Sequence, residues 1–300
     1  MFDTEDPQNI WVSPDAPDGG MGTHESPFSE ISSALKRVTP GQHIILMPGT
    51  YQGDLTVDTS GEEKAPVYIS AQNPGEAVVD NGCWYFYDTS DLVVSGMAFK
   101  NTRHGAISVM GKCLRNRFHN INFIDCGTDE KASCTLYFGG AGGRFNIVED
   151  CVFSRSVNTK SVGAEAVVSA KSAAISTQNA AVGLMISDGG SGAPLTNYVV
   201  RNNRFSGYDR AVIVGSGESE FESGHSVDLN RVDGCACEGI VIKCGDVQAR
   251  GNEIRNCAGT AIVFDGGEGS EANGNLISGC GGGITVSGIS HTITGNHITK

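Results

Sequence analysis

Residues 230–280 read NRVDGCACEGIVIKCGDVQARGNEIRNCAGTAIVFDGGEGSEANGNLISGC. Three times here an asparagine is followed at its second neighbour by an apolar residue: Asn230-Arg-Val, Asn252-Glu-Ile and Asn275-Leu-Ile. The triplet recurs on either side as Asn203-Arg-Phe and Asn296-His-Ile, with successive asparagines 27, 22, 23 and 21 residues apart. A repeat of this period, in short β-rich units punctuated by glycine, is the mark of a solenoid. A second register confirms it. Three positions after Val232, Ile254 and Ile277 stand Cys235, Cys257 and Cys280, and Cys126 follows Phe123 at the same offset. Only a coil that returns to the same lateral position on every turn puts the same residue types in line. The pattern therefore predicts an all-β, right-handed, single-stranded parallel β-helix. Its asparagines form a turn ladder of amides bonded from coil to coil, and its four cysteines are buried, reduced and stacked on one inner face.

Composition fits strands of about 3–5 residues between tight turns. There are 41 glycines in 300 residues, and aromatic residues make up 7%. One segment reads as helix. Ser26-Pro27 offers a cap and a first-turn proline, and Phe28, Ile31, Leu35 and Val38 then recur at helical spacing up to Pro40-Gly41. A helix over 26–39 would cover the open first coil, whose bare strand edge would otherwise template association. Coils are expected from Ile44 onward, in one domain over 1–300. The stretch 156–197, rich in Ala and Ser, interrupts the pattern and reads as a loop or insertion, holding one or two coils with an outgoing loop, or as a disordered insertion. Nothing resembling a lid follows Asn296. The end is thus expected to be uncapped, with end-to-end self-association, unless the chain is a piece of a longer one or is covered by another subunit.

The net charge of −13 argues against nucleic acid, which needs a basic surface. No apolar run approaches the roughly 20 residues of a membrane span. Met1 is followed by Asp3, Glu5 and Asp6 rather than a signal segment, as in a mature secreted chain with an added initiator or in a cytosolic protein. Cys235 and Cys237 form a Cys-x-Cys, not the Cys-x-x-Cys of a zinc site. His104, His119, His225 and His291 lack metal-ligand spacing and read as turn or surface residues. In Trp84-Tyr85-Phe86-Tyr87, alternation sends two rings inward and two outward, where they could stack on sugars.

Several stretches resemble polysaccharide lyase family 6, which includes alginate lyases and chondroitinase B: GQHIILMPGTYQG, APVYISAQNPGEAVVDNG, SDLVVSGMAFKN, GGRFNIVEDCVFSRS, CACEGIVIKCGDVQARGNEIRNCAGTAIVFDGG and GGGITVSGISHTITGNHI. The resemblance implies a pectate-lyase-like solenoid, secreted or periplasmic, acting on an acidic polysaccharide such as alginate. In that family a lysine removes the C5 proton of a uronic acid. An arginine one coil later serves as acid or charge stabiliser, and acidic residues just before the lysine bind Ca²⁺. β-Elimination needs both a neutralised carboxylate and a base within reach of the proton.

Carried over, the resemblance makes Lys243 the base and Glu238 a Ca²⁺ ligand, with Ala236 or Ile240 at the second acidic position. The arginine position falls on Phe264, followed by Asp265. A phenylalanine can do neither job, so Arg250 is assigned the catalytic role in its place, with Arg210 and Arg255 binding substrate. For Glu238 an ordinary ion pair with Arg210, one coil before it, is the competing reading. Three classes stay open: a uronic-acid polysaccharide lyase, a catalytically degenerate glycan binder on the same groove, and a structural or adhesive β-helix.

Overall fold

The computed structural model describes residues 2–128, 133–140, 142–156, 180–189, 193–217 and 223–300. Every turn of the chain repeats one plan. Strand Ile240–Ile242 leads into Gln248–Arg250, then Glu253–Arg255, then Thr260–Glu268, which lies beside the first. Each of the three positions stacks into its own sheet. Among the described residues sheet A has 11 strands, from Asn9–Val12 to Thr292–Thr294; sheet B has 10, from Gly49–Gln52 to His297–Thr299; sheet C has 9, from Leu55–Val57 to Gly282–Ile289. Neighbours pair in parallel, as in Val232↔Ile254↔Ile277↔Ile298. The result is a right-handed β-solenoid of about nine turns, the hand that parallel crossovers favour.

Sheets A and B meet at a two-residue turn whose first residue is left-handed. Asn120, Asp150, Asn202 and Leu229 take φ of 52–57° there, and Gly251, Gly274 and Gly295 61–64°. Such geometry suits Gly, Asn and Asp, so Leu229 is the outlier. The second turn residue points inward and builds the ladder. Asn252 donates its Nδ2 hydrogens to Val227 O (2.8 Å) and Asn275 Oδ1 (3.0 Å), while its own Oδ1 accepts from Asn230 N–H (2.9 Å) and Nδ2 (3.1 Å). The same bonds link Asn203 to Asn230 and Asn275 to Asn296. They satisfy turn amides that are sealed from water.

The apolar third residue of each triplet faces the core from sheet B. One coil set earlier the same column is aromatic: Phe99, Phe123, Phe153 and Phe205 stack with centroids 5.6, 4.6 and 4.5 Å apart. Each buried ring contributes roughly 2–3 kcal/mol by removal from water. The cysteine column is as expected for three of its four members. Cys126, Cys235 and Cys257 are buried, all ten cysteines are free, and Cys280, nearer the final coil, is partly exposed.

Two expectations change. The helix is a single turn, Ile31–Leu35 with Glu30 at its N-cap, instead of 26–39. Segment 26–28 is drawn off because Phe28 N–H donates to Trp11 O and Phe28 O accepts from Ser13 N–H (both 2.9 Å). The coils begin not at Ile44 but at Asn9–Val12, which pairs with His43–Leu46. Within 156–197, Ala181–Ile186 is an ordinary strand of sheet C; residues 157–179 lie outside the described residues. At the far end, Val286, Ile293 and Ile298 are 40–51% exposed.

Candidate functional site

Strand register decides which side chains share a face. Along the outside of sheet C two columns run parallel to the solenoid axis. One is Tyr85, Ser108, Tyr137, Met185, Ile213, Val241, Val263 and Thr285. The other lies at the strands' C-terminal ends. There Gly139, Ser187, Gly215 and Lys243 each donate a backbone N–H to the preceding coil, at 2.7–2.9 Å. Tyr87 and Met110 come before them and Asp265 and Ser287 after. Lys243 is therefore partly exposed, on the outer face, one rung from Asp265. Beside it Val182, Ile213, Val241 and Val263 form an apolar cluster separate from the core, packed against Cys134 and Met185. An amine flanked by such an apolar wall sits in a lower dielectric than bulk water.

Glu238 and Arg210 sit at the opposite end of the same strands. Arg210 Nε donates to Glu238 Oε2 at 2.6 Å, and the Arg210 side chain is 8% exposed. Lys243 lies five residue steps along the chain from Glu238, about 16 Å at the strand rise. The pair is thus a partly buried ion bridge across neighbouring coils, not a neighbour of the lysine. One carboxylate oxygen is already committed, so the residues present do not fit a Ca²⁺ cage at Glu238.

Phe264 is fully buried and stacks on His291 at 5.1 Å. Alternation explains why: Ile262 and Phe264 point in, Val263 and Asp265 out. The outward residue on the rung after Lys243 is Asp265, an anion. Arg250 and Arg255 are not brought to this face. Arg250 lies on sheet A, where its backbone N–H donates to Asp228 Oδ1 at 3.1 Å. Arg255 lies on sheet B, ion-paired with Glu253.

Sequence reading missed a charged row on the outside of sheet A. Glu149 is 2% exposed and held by Arg117 and Arg201 (2.6 Å to the latter), and His119 Nδ1 stands 3.2 Å from Asp150 Oδ2. Among the described residues, His119, Glu149 and Asp150 are the group close enough to hold a metal ion. Two guanidinium groups already neutralise Glu149, so a cation there would meet uncompensated positive charge; the arrangement is a half-exposed ion network around one buried carboxylate. The signal that could have found it is column register, once the coil lengths are known. His225 and His291 occupy the turn before sheet A, each accepting a backbone N–H on Nδ1, from Tyr198 (3.3 Å) and Ser270 (3.2 Å).

A family model described as Chondroitinase B matches residues 26–300. Pectate lyase L of Dickeya dadantii (strain 3937) is 32% identical over 129 residues, covering 36% of this chain and 30% of that protein. Pectate lyase PEL9 of Emericella nidulans is 36% identical over 76 residues, covering 25% and 18%. Among solved structures, a mannuronic acid specific polysaccharide family 6 lyase from human gut microbiota superposes with a TM-score of 0.68 at 17% identity, over 97% of this chain and 64% of that one. The PL6 family alginate lyase AlyGC gives 0.67 at 17%, over 97% and 38%. These structures share the fold; the chain spans less than two thirds of their length, and less than a third of that of the curated relatives. No described helix is long and apolar enough to cross a membrane.

Proposed function

Since the chain belongs to the chondroitinase B family of polysaccharide lyases, we propose that it cleaves a uronic-acid polysaccharide by β-elimination with Lys243 as the base. The carrying observation is the place of Lys243: outward on sheet C, beside an apolar wall. The neighbouring outer positions Ile213 and Val241 are covered, at 0% exposure, so the polysaccharide would approach at the partly exposed Lys243 end of the strands and there bring a C5 proton to Nζ. The proton's electron pair passes into the carboxylate as an enolate and then expels the C4 oxygen, leaving an unsaturated sugar. With Arg250 and Arg255 on other sheets, the proton gained by Lys243 would pass to the leaving oxygen. Alginate is the first substrate to try, because the PL6 neighbours carry it in their names. The acidic polymer is the partner.

A second reading, a glycan binder without turnover, is favoured by one feature: the rung after Lys243 presents Asp265 where a cation would assist the uronate. One experiment separates the two. Ultraviolet absorbance of unsaturated products is followed on alginate, pectate and glycosaminoglycans, with and without Ca²⁺. We expect product from the wild type and at least a hundredfold less from Lys243→Ala at an unchanged melting temperature. Product formation untouched by Lys243→Ala sinks the assignment of the base. Binding without product supports the second reading.

A further inference from the structure

We propose that Tyr85 and Tyr87 form a sugar-stacking subsite for the same polysaccharide, on the face that carries Lys243 and well away from it; this rests on the polysaccharide reading above. Strand Trp84–Tyr87 divides its four rings by alternation. Trp84 and Phe86 are in the core at 1% and 0% exposure, while Tyr87 is 47% exposed and Tyr85 partly so. The outer rings are nearly parallel, 11° apart with centroids at 6.4 Å. Two such rings held parallel on a rigid strand suit the apolar C–H face of a pyranose, at little ordering cost.

Position identifies the occupant. Tyr87 belongs to the column that ends at Lys243, and the intervening positions are Met110, Gly139, Ser187 and Gly215. Three of these carry almost no side chain and are buried; the Tyr137 ring leans over Gly139 and its O–H donates to Ser187 O at 3.3 Å, so a bound chain would pass over that ring rather than along a bare column. Five rungs separate Tyr87 from Lys243, about 24 Å at the inter-strand spacing, the reach of a chain of several sugars rather than of one. Tyr137, two rungs beyond Tyr85 in the adjacent column, offers a further partly exposed ring along the way. The charges nearby are two acids and one base: Asp88 follows Tyr87 directly, Asp54 Oδ1 accepts Cys83 N–H at 2.8 Å, and exposed Lys112 donates its backbone N–H to Asp88 Oδ1 at 2.7 Å, which leaves the surroundings acidic on balance. Recognition here is therefore by ring face and hydroxyls, not by uronate charge. It adds affinity for long chains without adding salt dependence.

The test is retardation in native gels containing alginate, pectate or chondroitin sulfate, on ice, for wild type, Tyr85→Ala/Tyr87→Ala, Tyr85→Leu/Tyr87→Leu and Tyr85→Phe/Tyr87→Phe. For a polymer that retards the wild type, we expect the Ala and Leu pairs to bind about tenfold more weakly. The Phe pair, which keeps the rings, should bind as wild type does, and the ratio should be the same at low and high salt. A uronate trisaccharide should bind all four proteins alike. Equal retardation of wild type and the Leu pair overturns the subsite while leaving the polysaccharide reading intact. A wild type retarded by none of the polymers overturns both. The Leu pair preserves apolar bulk, so a folding defect confined to the Ala pair does not decide the outcome.

Discussion

His225 shows how one residue can be bent to the needs of a repeat. At its place in the turn before sheet A, two other coils use Asn116 and Asn146, whose Oδ1 atoms accept backbone N–H groups from Leu92 and Asn116. His225 does the same with Nδ1, which requires a neutral ring, and burial pushes its pKa down to about 4. The unfolded chain titrates near 6.5. Above that pH both states are neutral and the stabilisation is complete. As pH falls from 6.5 towards 4 the unfolded state gains a proton that the folded state refuses, and up to about 3 kcal/mol is lost. We expect denaturant midpoints to fall between pH 7 and pH 5, and His225→Asn to reduce that fall. His43, also lowered to about 4 by burial, supplies a background slope in both proteins. Identical pH slopes in wild type and variant would refute the assignment.

At the scale of the element, the two-residue turn between sheets A and B does most to set coil shape. Asn252 both donates to and accepts from its neighbours, so Asn252→Ala strands the buried backbone N–H of Asn230 as well as removing its own bonds. The expected loss is roughly 2–4 kcal/mol. Asn296→Ala should cost clearly less, since the receiving end of the ladder is more open to water. Chemical denaturation of the two variants side by side measures the difference. Equal losses would mean that the ladder contributes through local turn geometry alone. Strand alternation works at the same scale, and it is what removes Phe264 from the site and puts Asp265 there.

The whole molecule is quasi-one-dimensional: each coil touches only the coils before and after it, so stability is a sum of coil and interface terms. Interior coils hold their core residues at 0–2% exposure, as with Val232 and Ile254, whereas Ile293 and Ile298 are open on one side. In this 300-residue chain, backbone amides of residues 282–299 should exchange with solvent well before those of 226–255. Hydrogen exchange read by mass spectrometry gives the order directly. Simultaneous exchange of both segments would show that the solenoid opens as one unit.

The sequence by itself determined the solenoid, because its period is written in side chains that only stacking can satisfy: an amide that must pair with the next amide, and an apolar residue and a thiol at fixed offsets from it. The N-terminal strand Asn9–Val12 was not legible, since a first coil has no predecessor to repeat. The helix was overread because Phe28 fits helical spacing and a β-bridge equally well. For the site, Lys243 and its rung neighbour Asp265 could be placed from the repeat, and so could the Arg210–Glu238 pair, one coil apart. What only the tertiary structure decided is lateral position. Arg250 and Arg255 are close to Lys243 in sequence yet face away on other sheets, and Glu238 lies a strand's length from it. Glu149, Arg117 and Arg201, far apart in the chain, meet. A coil converts sequence distance into direction as well as height, and the direction depends on turn lengths that vary from one coil to the next.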